Sequence, residues 1–431
     1  MTLYVYHEDK TVGTITNNEG KFSFHYSDEW VKNGFPLCIP MSFQLNADII
    51  SKAAFTYFKN ILPEERVLAN LSSSARIDPD DIFSMLKAYG KDCPGSVYIS
   101  EKPKPNEAEK YRKVIDITRN VEDYYKTSYH GQPRSLGLHI AKNFHASLLP
   151  GAQDKFTCCV EKNSFYTPSP DSGILPTHIV KPTWAYAINE YFCMSLADAS
   201  SLPVAKVSLT PIEHSNKETP NSHALCIERY DRFAGKRLHQ EDLCQALEKS
   251  DRQKYSDTLN GISYKEIGCL CNDYLSEEDA EKIVALTAFN MGIGNGDAHG
   301  KNISILHHID GSMSIAPFYD IVCTEVEGFD KNFAIHFGEA SAMNEIDGEV
   351  FQQFADDMCL PMEKVVSIFE TTLFEIKKNI QSHLENAISN FPEYENYFSS
   401  IAEKIEENSS VMLELVDEAN EYLKNTQAMQ M

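Results

Sequence analysis

The chain has 431 residues, of which 42% are hydrophobic, 11% aromatic and 24% charged, an ordinary globular balance that excludes collagen-like, disordered and coiled-coil classes for its bulk. At roughly 100 to 200 residues per domain the length predicts about two to four domains, with ample chain to bury a real core. The 63 acidic residues outnumber the 39 basic ones and leave a net charge of −24, so the molecule repels nucleic-acid phosphates and any contact with DNA must be local or supplied by a partner.

The opening residues MTLYVYHEDK lack the basic start, apolar middle and small-residue cleavage site of a secretory signal. No apolar run approaches the roughly 18 residues that mark a membrane span, so a cytoplasmic protein is expected. The eleven cysteines are scattered between Cys38 and Cys359 without a CxxC pair. That spacing does not suit zinc and predicts reduced thiols serving as small core residues.

From Leu3 to Tyr26 the alternating segments LYVY, TVGTI and KFSFHY are separated by the turn-forming HEDK and TNNEG, the pattern of an antiparallel meander. After a Pro-containing stretch, Ile61–Leu71 and Ile82–Ala88 carry helical apolar spacing, and GKDCPGSVYI reads as a turn followed by a strand. A small mixed domain over residues 1–100 is predicted. Residues 101–136 open with the Pro- and charge-rich EKPKPNEAEKYRK and read as a connecting segment. Strands and helices resume from about 137 to 345. Beyond 350 the period is helical, with Val365, Ile368, Phe369, Leu373, Ile376 and Ile380 on one face, and Met412, Leu415, Val416, Ala419 and Leu423 on another.

The chemistry concentrates in MGIGNGDAHGKNISILHHIDGSMSIAPFYDI, residues 291–321. It follows an apolar run, Ile283–Met291, expected to be a buried scaffold helix. Asp297 lies in a polar, Gly-flanked loop and Asn302 follows after four intervening residues. That is the spacing of a kinase catalytic loop, in which the carboxylate takes the substrate hydroxyl proton and the amide oxygen holds Mg²⁺. Two short strands, Ile303–Leu306 and Met313–Ile315, are joined around Asp310-Gly311, a strong hairpin signal. The hairpin returns the chain to Tyr319 and Asp320, so two acids and an amide are expected around one mouth, a set that suits Mg²⁺. His299 reads as a brace for the loop rather than a proton-transfer group.

A kinase also needs a cation for the nucleotide phosphates. The segment THIVKP places Lys181 at a strand end, before a helix expected to begin near Ile188-Asn189-Glu190, with Glu190 as its possible ion-pair partner. HASLLPGAQDKF, residues 145–156, is by its residues an ordinary Pro-Gly turn.

Seven ordered segments carry a resemblance to a known family: SLLPGAQDK (147–155), HIVKP (178–182), NEYFCMSLA (189–197), IERYDR (227–232), RLHQEDLCQ (237–245), NGDAHGKN (295–302) and APFYDI (316–321). As a set they resemble the HipA family of bacterial serine/threonine kinase toxins, and the N-terminal LYVY, ILPEERVLANL and GKDCPGSV segments resemble that family's small N-terminal subdomain. The resemblance implies an α+β, two-lobed, protein-kinase-related fold with an all-helical C-terminal part. The nucleotide-binding lobe would span 137–235 and the catalytic and helical lobe 236–431.

It further implies ATP and Mg²⁺ as cofactors, Asp297 as proton acceptor, Asn302 and Asp320 as metal ligands, and Lys181 on the phosphates. Pro150, Gly151, Ala152, Gln153, Asp154 and Lys155 would form the phosphate loop. Glu228, Arg229 and Tyr230 would form the adenine-side hinge, with Asp231 a ribose contact. His299, Gly300, Lys301 and Tyr319 would add nucleotide contacts. Family members carry a serine three residues before the loop glycine that is autophosphorylated to switch the enzyme off; here Ser147 stands four before Gly151, which makes it a displaced candidate. The implied partners are a small helix-turn-helix antitoxin, through which alone DNA would be reached, and a protein substrate such as glutamyl-tRNA synthetase. A same-fold kinase acting on a small molecule or lipid headgroup, and a nucleotide-binding co-repressor scaffold, are the competing readings.

Overall fold

The computed structural model describes residues 1–91, 93–103, 114–122, 149–151, 153–168, 174–182, 184–212, 222–308, 310–329 and 331–430. It is an α+β chain dividing into two compact units, one comprising 1–187, 207–251 and 306–311, the other 188–206, 252–305 and 312–431.

The first unit opens with the expected meander. Strands β1 (Thr2–His7), β2 (Lys10–Asn18), β3 (Lys21–Tyr26) and β4 (Val97–Ser100) form an antiparallel sheet in the order β3-β2-β1-β4. The β2–β3 turn closes through Gly20, at φ +85°, whose N–H donates to the Asn17 side chain at 3.0 Å. Alternation puts Leu3, Val5, Ile15 and Phe24 into one core with Phe58, Met85 and Leu86 from the helices. The helix expected at Ile61–Leu71 instead spans Glu65–Ala75, because Ile61–Glu64 is a Pro63-containing turn. An unanticipated helix, Ala47–Asn60, precedes it; Asn46 caps its start and Ile50, Ala53, Ala54, Tyr57 and Phe58 form its buried stripe.

A second, six-stranded antiparallel sheet follows in this unit. Its strands are β5 (Val114–Asp116), β6 (Phe156–Glu161), β7 (Ser164–Pro168), β8 (His178–Lys181), β9 (Val207–Ile212) and β10 (Ser222–Glu228), in the order β5-β7-β6-β8-β10-β9. The edge strand β5 corrects the reading of 101–136 as a connector alone. It pairs with β7, and the adjoining Ile117 and Val121 are fully buried beside Phe156 and Phe165, because VIDI supplies the apolar residues an edge strand needs.

In the second unit the helix Glu277–Ile293 is the buried scaffold that its composition announced. Ser276 and Asp279 close a capping box at its start and Gly294, at φ +71°, ends it. Gly292 lets the helix approach Met362–Asn390 so closely that an added Cβ would lie 2.9 Å from Leu373 Cδ2. The expected C-terminal helices are Gly348–Asp357, Met362–Asn390 and Glu395–Gln430. Phe337, Phe351, Phe354 and Phe369 form an aromatic core, with Phe337 stacked on Phe354 at 4.2 Å. All the cysteines except Cys159, Cys269 and Cys359 are buried, and none is in a disulfide. Among the described residues no helix is long and apolar enough to cross a membrane.

Candidate active site

The loop bearing Asp297 is fixed from several sides. As the 277–293 helix ends, the Asn295 N–H donates to the Asn290 carbonyl at 2.9 Å, and the Asn295 amide donates to the Asn290 side chain at 2.9 Å. The Asn295 side-chain oxygen then accepts the Asp297 N–H at 3.1 Å. Thr324 staples the next turn: its hydroxyl accepts the Gly296 N–H at 2.7 Å and donates to the Gly294 carbonyl at 3.1 Å. The Asp297 carbonyl accepts the His299 N–H at 2.8 Å and the Asn302 side-chain amide at 3.0 Å. Gly300 donates to the Lys254 carbonyl at 3.1 Å, and the Tyr319 hydroxyl donates to the Lys301 carbonyl at 2.7 Å. His299, Lys301 and Asn302 are buried while Asp297 is exposed. Buried backbone anchors holding one exposed carboxylate suit a group that must meet an incoming substrate in a set geometry.

Asn302 and Asp320 line one recess together with Asn290, Asn295, His299 and Tyr319. Asp320 takes a left-handed backbone, φ +59°, a conformation costing a non-glycine residue about 1–2 kcal/mol that persists only where neighbours impose it. Here both flanks are held. On one side Phe318 donates to the Pro203 carbonyl at 2.8 Å and accepts from Ala205 at 2.9 Å. On the other, the buried Asn189 amide grips Cys323 twice, accepting its N–H and donating to its carbonyl, both at 2.9 Å.

The first unit carries the residues expected on the nucleotide side. Strand β8 pairs antiparallel with β6, Phe156 opposite Val180 and Thr157 opposite Ile179. Lys155 directly precedes β6 and Lys181 ends β8, so the two lysines stand at the same end of this strand pair. Lys181 is 5% exposed. Gly151, at φ +106°, has the Lys155 ammonium folded over it: a Cβ added there would lie 2.7 Å from Lys155 Nζ. Pro150, Gln153 and Asp154 complete the described part of this loop. Ser147 and Ala152 lie outside the described residues.

At the far end of β10, Glu228 is exposed and the Tyr230 hydroxyl hydrogen-bonds the Gln240 side chain. Asp231 is engaged differently. Its carboxylate accepts from Arg229 at 2.8 and 2.9 Å, from Arg232 at 2.9 Å and from the Gly95 N–H at 2.8 Å, all nearly buried. Burial pushes this carboxyl up, but the two guanidiniums outweigh it and hold it below the usual range. As placed, Asp231 is a clasp fastening the 93–95 turn to the end of β10.

Two sequence expectations change. The helix expected from Ile188 starts earlier, spanning Trp184–Ala199, so Glu190, expected in its first turn, lies further in and is fully buried. Three positioning side chains were not foreseen: Asn189, Thr324 and Tyr255, whose hydroxyl donates to Asp297 Oδ1 at 2.6 Å. An asparagine at the head of the largely apolar stretch Tyr191–Ala197 was the one available signal, since a buried amide must find partners. Nothing local marked Tyr255.

A pinned carboxylate loop, an amide and a second carboxylate at one recess, and a lysine-bearing antiparallel sheet define a kinase-type phosphotransferase. The chain belongs to the HipA family: the model of the HipA-like C-terminal domain matches residues 147–380 and that of the HipA N-terminal domain residues 3–100. It is 27% identical over 399 residues to the serine/threonine-protein kinase toxin HipA of Shewanella oneidensis, covering 85% of this chain and 86% of that protein. It is 28% identical over 381 residues to Y4mE of Sinorhizobium fredii, also named as a kinase, covering 82% of this chain and 85% of that one. The solved structure of Shewanella oneidensis HipA with HipB and operator DNA shares the fold, with a TM-score of 0.79 at 24% identity over 97% of this chain and 99% of that one.

Proposed function

We propose that this chain is an ATP- and Mg²⁺-dependent serine/threonine protein kinase, the toxin of a bacterial toxin–antitoxin pair, acting in the cytoplasm on a translation-related protein such as glutamyl-tRNA synthetase. The observation carrying the reading is Asp297, an exposed carboxylate on a loop whose backbone is hydrogen-bonded on both sides of it. Positioned so, Asp297 accepts the proton of a serine or threonine hydroxyl as that oxygen attacks the γ-phosphorus.

The donor set fits Mg²⁺. The Asn302 Nδ2 is committed to the Asp297 carbonyl, which turns the amide so that Oδ1 is the atom left to ligate, and Asp320 lines the same recess. Among the described residues no cluster of three or more His, Cys, Asp or Glu side chains is arranged for a metal. One carboxylate and one amide suit an ion whose shell is completed by water and nucleotide phosphate. Mg²⁺ there would offset the charge on the β- and γ-phosphates. Lys155 and Lys181 supply further positive charge at their shared end of the β6–β8 pair.

The HipA of Shewanella oneidensis, solved with HipB and operator DNA, supports a small DNA-binding antitoxin as partner, and the net charge of −24 agrees with DNA being reached only through it. Phosphorylation of Ser147 would add close to two negative charges beside the phosphate loop and oppose ATP. Incubation with γ-labelled ATP and Mg²⁺, alone and with glutamyl-tRNA synthetase, followed by phosphosite mapping, tests the reading. Label on serine or threonine is expected, including the 141–155 peptide. Label elsewhere only removes the Ser147 switch. ATP bound with no label in either protein favours the scaffold alternative.

A further inference from the structure

The Tyr255 hydroxyl and Asp297 are 42 residues apart in sequence and 2.6 Å apart in space. Several contacts hold the phenol there. Its ring meets the edge of His299 at 5.2 Å between centroids, and Lys254 Nζ lies 5.4 Å from the ring centre. Lys254 in turn accepts the Gly300 N–H through its carbonyl, so one dipeptide grips the loop at two points.

The segment carrying Tyr255 is itself tightly wound. The Tyr255 carbonyl accepts from the Thr258 hydroxyl at 2.9 Å and sits so near Gly261 that a Cβ there would come within 2.1 Å of it. Ser256 donates through its N–H to the Ala334 carbonyl at 3.0 Å and through its hydroxyl to the Ile262 carbonyl at 2.7 Å. So much ordering around a half-buried phenol that ends on an exposed carboxylate is more than core packing needs.

We infer that Tyr255 is a positioning residue for phosphoryl transfer: it holds Asp297 Oδ1 so that Oδ2, which makes no hydrogen bond to any described residue, is presented to the acceptor hydroxyl. This rests on Asp297 being the base. The phenol donates and keeps its proton; the acceptor's proton goes to Oδ2. Without the hydroxyl the carboxylate gains a free rotation, and the fraction of encounters with a correctly aimed oxygen falls. A hydrogen bond to a charged group, lost while the ring stays, predicts a fall in kcat of about tenfold to a hundredfold. KM for ATP should not change, since Tyr255 is not among the nucleotide-side residues.

The test compares wild type, Tyr255→Phe and Asp297→Asn in transfer from γ-labelled ATP with Mg²⁺ to the chain itself, to glutamyl-tRNA synthetase and to dephosphorylated casein, with ATP affinity and melting temperature measured alongside. Tyr255→Phe keeps the ring against His299, so the fold should survive. A lower kcat with unchanged KM for ATP and unchanged melting supports the assignment. Wild-type kcat in Tyr255→Phe, with Asp297→Asn inactive, overturns it and leaves the base intact. A lower kcat accompanied by weaker ATP binding or a lower melting temperature also overturns it, marking a structural role. Equal transfer by wild type and Asp297→Asn, or none by wild type to any acceptor, overturns the kinase reading on which it depends.

Discussion

Asp231 and Asp297 are both carboxylates in segments that resemble family motifs, yet the chain treats them in opposite ways. Asp231 is nearly buried, with Arg229, Arg232 and the Gly95 N–H occupying its oxygens. Asp297 is exposed and accepts one hydrogen bond from Tyr255, while its backbone rather than its side chain carries the anchoring. The difference teaches that a resemblance locates a carboxylate without saying whether its charge is already used. Partner count and exposure say that: the Asp231 carboxylate is already engaged, whereas the Asp297 carboxylate is exposed and accepts one hydrogen bond.

The comparison breaks most visibly at Asp231. Asp231→Asn takes one carboxylate charge away from two buried guanidiniums, and removing one partner of a buried pair costs about 3–5 kcal/mol. Chemical denaturation should show that loss, with transfer by the surviving folded protein largely kept. Acid sharpens the point. The folded Asp231 carboxyl lies below its usual range, so its stabilisation is fully present above the unfolded value, about 3.9, and is lost as pH falls through the folded value. The stability gap between wild type and Asp231→Asn should therefore narrow below about pH 4. A constant gap would mean that packing, not charge, holds the clasp.

A smaller effect is expected at Asn189, whose amide makes two hydrogen bonds to Cys323 near Asp320. Asn189→Ala leaves the buried Cys323 N–H and carbonyl without that partner, a cost of about 1–3 kcal/mol, and loosens the strained Asp320. Mg²⁺-dependent ATP affinity should fall while any metal-independent affinity stays. A stability loss without an affinity change would make Asn189 a fold residue only.

Local chemistry made much of this legible. Alternation gave the β1–β3 meander, the Asp310-Gly311 step gave the turn in which Gly311 stands at φ +86°, and the apolar run before Gly294 gave the scaffold helix. The Asp297 and Asn302 spacing was readable because both residues sit on one short loop. The helix Ala47–Asn60 was missed although its i, i+3, i+4 stripe is present, because the alanines in that stripe give a weaker apolar signal than Ile61–Leu71, where Pro63 forces a turn. Asn189 and Tyr255 were not readable as site residues: their partners lie 134 and 42 residues away, and only the folded chain brings them together. Asp231 was legible as a position and not as a role, since its clasp reaches back to Gly95, 136 residues earlier.

The central claim is that Asp297 takes the acceptor's proton in phosphoryl transfer. Its most direct test is a single-turnover measurement of labelled phosphate transfer by wild type and Asp297→Asn, each saturated with Mg²⁺ and ATP and each checked for ATP binding. General-base loss predicts a rate lower by about a hundredfold to ten-thousandfold with ATP affinity nearly unchanged. Equal rates in the two proteins would contradict the account.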